Sequence, residues 1–171
     1  MTSILKVSEI QDPTNGNTAL TVDSSGKVNA PVLGTLTRNV VSFQATGPSA
    51  YTSYGASGVV TYNDTSSAGF HDNTGGNYST TNAEFTCPVA GLYHFQASCL
   101  IQAEGALGLI LQYRNSSNVG ISNFHNYNHG RFTQTHCIIN MLAGEKMRVL
   151  SEDATAKYLG IYGRFSGFLV G

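Results

Sequence analysis

Between positions 92 and 101 the chain alternates. Tyr93, Phe95, Ala97, Cys99 and Ile101 fall on one parity, and His94, Gln96, Ser98 and Leu100 on the other. A period of two predicts a half-buried β-strand. A shorter run at 84–87 precedes it, and Pro88-Val89-Ala90-Gly91 between the two carries the proline and glycine that separate strands. Upstream, Val41, Phe43 and Ala45 alternate and Gly47-Pro48 ends them; Gly55-Ala56-Ser57-Gly58 turns into a run at 59–63. Downstream, Leu107, Leu109, Leu111 and Tyr113 share one face, and further runs occupy 131–142, 147–150 and 158–170. Polar, glycine-rich stretches at 64–82 and 115–130 are expected to be long loops. Roughly eight strands at this spacing predict an all-β sandwich, and no stretch shows a helical period.

The first forty residues follow a different pattern. Ile4, Leu5, Val7 and Ile10 form a short strand-like run, and Leu20 and Val22 belong to a second. Between them Asp12-Pro13-Thr14-Asn15-Gly16-Asn17 concentrates turn chemistry, because proline presets φ and Asn-Gly tolerates positive φ. Two such strands do not fold alone. The expected organisation is therefore a β arm at 1–28 that docks through these six apolar residues, a linker at 29–38 with Pro31 and Gly34, and a head at 39–171.

The head also carries spaced motifs. Asn73, Gly75, Gly76 and Tyr78 are followed by Phe85-Thr86-x-Pro88, then Gly91-x-Tyr93-x-Phe95, then Phe165-x-Gly167-Phe168-Leu169 near the end. Over 39–171 this order resembles the globular head of complement component one, subcomponent q, related to tumour necrosis factor. The resemblance implies a ten-strand jelly roll assembled as a compact homotrimer, with Tyr78, Phe85, Pro88, Gly91, Tyr93, Phe95, Phe165, Gly167 and Phe168 as its motif core. Two departures stand out. Ala83 occupies the place where the family usually has glycine two residues before the phenylalanine, and no collagen-like Gly-X-Y stem is present. Complement-type activity is therefore not implied.

The arm is similar to leader segments of virion and tail-fibre proteins from phages that infect cyanobacteria, a likeness confined to 4–28. It implies a non-enzymatic structural component located in the virion. The trimeric head would decorate the capsid or form a small tail-fibre knob, joined to capsid or tail proteins by the arm and able to contact host surface glycan. The alternative is a free-standing lectin-like or protein-binding module; a glycan depolymerase is the weaker third reading.

Composition narrows the chemistry. Charged residues are 11% of the chain and the net charge is −1, so there is no electrostatic drive toward nucleic acid or an anionic membrane. No apolar run approaches the ~20 residues that span a bilayer. The N-terminus shows no basic region followed by a long apolar stretch, so no secretory signal is visible. Cys87, Cys99 and Cys137 lie in apolar strands and read as reduced core residues.

No catalytic, cofactor or metal residue is assigned. His125 and His129 share a loop without further ligands, while His94 and His136 sit mid-strand and His71 in a loop. Glu152-Asp153 falls short of the oxygen ligands that calcium takes. Glu84 and Glu104 form no recognisable carboxylate pair, and no nucleophile elbow, phosphate loop or dinucleotide fingerprint occurs. Tyr113 and Tyr162 are placed facing the trimer axis. Tyr51, Tyr54, Phe124 and Tyr127 lie among Ser, Asn and Gly, a mixture that suits either an adaptable recognition loop or ordinary anchoring.

Overall fold

The alternating run at the centre folds as β9 (Gly91–Ile101), and its neighbours build a two-sheet sandwich around it. The computed structural model describes residues 9–11, 18–22, 28–29, 41–47, 50–63, 72–102, 108–125, 131–159 and 162–170. The chain divides into two units, Met1–Val40 and Val41–Gly171. In the first, β1 (Glu9–Gln11), β2 (Thr18–Val22) and β3 (Val28–Asn29) form an antiparallel sheet in that order. Its register places Ile10 opposite Leu20 and Val22 opposite Val28. Ile4, Leu5 and Val7 lie outside the described residues.

The second unit holds the sandwich. One sheet runs β6 (Asp72–Thr74), β4 (Ser42–Ala45), β15 (Phe165–Leu169), β9 and β12 (Phe132–Met141). Near the far end of β9, β14 (Lys157–Leu159) pairs with it and in turn with β5 (Thr52–Ser53). The other sheet runs β7 (Tyr78–Ser79), β8 (Glu84–Thr86), β13 (Lys146–Ser151), β10 (Leu109–Arg114) and β11 (Gly120–His125). Every pairing is antiparallel. Five strands facing five, with a short pair at one end, is a jelly-roll sandwich.

The described head strands thus outnumber the eight expected. β5, β6, β7 and β14 have two or three residues each, too few to show a period. β11 is a correction of another kind, since it lies where a loop was predicted. Five of its six residues are exposed, because it is an edge strand held by backbone pairing to β10 and needs no apolar alternation.

Facing side chains of the two sheets fill the interior. Phe43 stacks on Tyr78 at 4.8 Å and on Phe85 at 5.0 Å, and meets Phe165 edge-on at 4.8 Å. Offset and edge-on arrangements suit the ring quadrupole, so these pairs add to the area they bury. Two buried tyrosine hydroxyls are matched: Tyr78 donates to the Tyr62 carbonyl at 2.6 Å, and Tyr62 to the Ser98 carbonyl at 2.9 Å. Cys87, Cys99 and Cys137 are buried and free.

Among the motif residues, Tyr78, Phe85, Tyr93, Phe95, Phe165 and Gly167 are buried and Gly91 is half-buried. Pro88 is exposed in the turn between β8 and β9, at the break between strands where the sequence places it. One placement in the motif core is corrected. Phe168 is 45% exposed, because Phe165 and Gly167 are buried and the pleat turns position 168 outward. Tyr113 is also corrected: it packs half-buried against the core from β10.

Two local devices explain the motif spacings. Asn73 clasps Tyr78 from both sides, its Nδ2 donating to the Tyr78 carbonyl and its Oδ1 accepting from the Tyr78 N–H, each at 2.9 Å. The intervening Gly75 and Gly76 take φ of +82° and +68°, which glycine adopts without steric cost. At the other place Ala83 holds φ of +49°, so alanine here keeps the left-handed turn that glycine supplies more easily.

Candidate functional site

Period-two alternation on β9, β12 and β15 gives their sheet two unlike faces. Thr133, Thr135, Cys137 and Met141 of β12 are buried, while Phe132, Gln134, His136, Ile138 and Asn140 alternate with them outward. The registers line these residues up across the strands. Ile138, His94, Phe168 and Ser42 form one row, and His136, Gln96, Ser166 and Gln44 the next. The His94 ring lies against Phe168 at 5.2 Å.

This outward face is rich in apolar groups. Phe132 is 48% exposed, Ile138 62%, Phe168 45% and Val170 53%, with Leu142 at 66% just beyond the end of β12. Between β4 and β15 a hollow of about 310 Å³ is lined by Ser42, Gln44, Ser166, Gly167 and Phe168. Single exposed apolar residues need no explanation, but several on one sheet face mark an interaction surface. Tyr162 is exposed as well.

The four aromatic residues given a recognition or anchoring role separate in the structure. Tyr54 packs against the core, its hydroxyl 2.9 Å from Thr61 Oγ1 and its ring 6.0 Å from that of Tyr158. Phe124 lies on β11 and also packs against the core. Tyr51 is half-buried, and its hydroxyl accepts from Arg131 Nη2 at 3.2 Å. Tyr127 lies outside the described residues.

The acidic candidates are engaged within the fold. Glu152 accepts from the Gly108 N–H at 3.0 Å and pairs with His125 at 2.9 Å. Asp153 Oδ1 accepts from the Thr155 N–H at 2.6 Å and from Thr155 Oγ1 at 2.8 Å. Among the described residues no three His, Cys, Asp or Glu side chains converge as metal ligands. Glu84 is where sequence reasoning missed most. It is buried on β8 and pairs with Arg114 of β10 and with Lys146 of β13, whose Nζ is 3.1 Å away. Its partners stand at alternate positions on other strands, a signal that register alone converts into proximity.

The model of the C1q domain matches residues 42–170. The chain belongs to the C1q domain family. The globular domain of zebrafish complement 1qA protein superposes with a TM-score of 0.56 at 22% identity, covering 76% of this chain and 97% of that one. Murine APRIL superposes with a TM-score of 0.51 at 14% identity, covering 75% of this chain and 96% of that one. Among curated proteins no significant match is found.

Family membership corrects the capsid-decoration and tail-fibre reading of function. The C1q match begins at residue 42, beyond the leader on which that reading rested, and takes in the face and core described above. C1q and TNF-like domains bind proteins or ligands and do not catalyse. The binding-module reading, set second from the sequence, is the one the fold supports.

Proposed function

We propose that the chain is a non-enzymatic binding module that works as a homotrimer. Three copies pack the outward faces of their β6-β4-β15-β9-β12 sheets about a common axis. The observation that carries this reading is the run of exposed Phe132, Ile138, Phe168 and Val170 on one sheet face. C1q and TNF-like domains commonly self-associate, often as trimers, which favours further copies of the chain as the occupant of that face. Burying such a patch removes apolar area from water at about 25 cal/mol per Å². His94, Gln96 and His136 give the contact polar register alongside its apolar anchors. Trimerisation leaves the other sheet free to meet a ligand, and three copies of one weak site then act together by avidity.

Light scattering on the eluting chain is the test. The expected mass is three times the 18.2 kDa of one chain. The double variant I138D/F168D is expected to elute as a monomer with an unchanged far-ultraviolet spectrum, since two buried unpaired carboxylates on each copy oppose association. A wild-type monomer would remove the proposal, and a variant that stays trimeric would move the contact to another face.

A further inference from the structure

A second surface, on the opposite sheet, concentrates charge in a chain that is otherwise poor in it. The segment 41–171 contains six Lys and Arg residues, and three of them, Arg114, Lys146 and Arg148, line one pocket. The pocket measures about 310 Å³ and is completed by Asn82, Glu84 and Asn118. Register builds it: Arg114 stands opposite Lys146 across β10 and β13, and Arg148 opposite Glu84 across β13 and β8. Their strand neighbours Tyr113, Met147 and Phe85 face the core, so the pleat turns the charged set outward together.

The charge within the pocket does not balance. Glu84 is the sole carboxylate among the lining residues, and it receives Arg114 Nη1 on Oε2 and Lys146 Nζ on Oε1. Arg114 also donates through Nη2 to the Asn118 carbonyl at 2.6 Å, which fixes its plane. Arg148 is held through Nε by Gln112 Oε1 at 2.8 Å. That bond leaves the Nη edge of its guanidinium for another acceptor. Partial burial and the neighbouring Arg114 charge push the Arg148 pKa down against the opposing pull of Glu84, and the repulsion from Arg114 is what a bound anion would relieve. One carboxylate against three cations leaves two positive charges, and the two asparagine side chains add amide donors at the rim.

We infer that this pocket is a binding site for a tetrahedral dianion, a sulfate or phosphate group, held by Arg148 and Lys146 in the frame that Glu84 and Arg114 provide. Guanidinium forks match tetrahedral oxyanions in geometry, and an ammonium beside them supplies a point charge. A dianion cancels the local excess, which a carboxylate does only by half. The group can arrive as the free ion or as an ester pendant on a polymer, since the pocket is open to solvent. The inference stands on the sheet away from the association face and does not depend on trimerisation.

Calorimetric titration of the full chain with inorganic phosphate, at constant ionic strength balanced with chloride, tests it. The expected result is saturable binding with Kd at or below about 1 mM. R148Q should weaken it at least tenfold, and N82D, which places a carboxylate at the rim without touching the Glu84 pairs, should do the same. Both variants should keep the wild-type melting temperature. Dextran sulfate competing with phosphate, where plain dextran does not, would assign the site to polymer-borne esters; phosphate binding without competition would assign it to the free ion. Non-saturable heat in the wild type, or equal affinity in wild type and R148Q, would overturn the site.

Discussion

Gly167 shows how a single position carries a motif. A Cβ built there would lie 2.5 Å from Phe95 Cδ1 and 2.8 Å from Phe43 Cε1, distances that real Cβ atoms do not tolerate. Neither ring can step aside, since Phe43 is stacked between neighbours and Phe95 is fully buried. Gly167→Ala is therefore expected to cost about 1–3 kcal/mol, the usual price of overpacking a core. Urea unfolding should show a lower midpoint at unchanged slope; an unchanged midpoint would mean that the β15 backbone moves freely. The cysteines make a second case at this scale. Burial pushes the thiols of Cys99 and Cys137 up to about 12. The native chain should then resist a thiol-disulfide reagent at pH 8, because the thiolate is the reactive form, and release its three thiols in denaturant. The linkage has one sign. Unfolded thiols ionise at about 8.5, so above that pH the native state keeps protons that the unfolded state has shed. The stability these thiols contribute is whole below that pH and drains as pH rises toward 12. A Cys137→Ala variant should lose stability less steeply between pH 9 and 11, and an identical slope would count against the buried thiol.

At the scale of elements, what the sequence reveals depends on how a strand earns its place. β9 and β12 lie between core and surface, so their alternation is written in side chains and their extents can be read within a few residues, whereas the single run expected at 158–170 divides into β14 and β15. β11 earns its place through backbone pairing at an edge, and no apolar period records that. The Asn73–Tyr78 clasp is legible as a motif, yet its purpose, closing a two-glycine turn between β6 and β7, appears only with the hydrogen bonds in place. The proposed association face was half visible. The parity of Ile138 and His94 could be read, but Phe168 carried the look of a core aromatic until Phe165 and Gly167 were seen to claim the inner side. The charged pocket was invisible for a different reason. Glu84 and Arg114 are 30 positions apart, and strand order that places β13 between β8 and β10 is a fact of topology, which no local pattern encodes.

For the molecule as a whole, the division at Val41 sets the question of what the head needs. The described core runs from Val41 to Leu169, and the ten strands of the two facing sheets all fall within that span. A sandwich that closes its own core has the contacts for independent stability, whereas a three-stranded sheet of strands two to five residues long is marginal alone. A chain of residues 41–171 is therefore expected to unfold cooperatively with the melting temperature of the full-length head. Because the proposed contact uses Ile138, Phe168 and their neighbours, the shortened chain should also keep the trimeric mass and the phosphate site. Light scattering and the same calorimetric titration check both. A folded monomer that still binds phosphate would show that the N-terminal unit, rather than the sheet face, holds the copies together. Loss of the cooperative transition would show that the first forty residues complete the core. The first result would transfer the role of trimer contact from β9, β12 and β15 to β1, β2 and β3, and the avidity argument would then rest on the N-terminal unit.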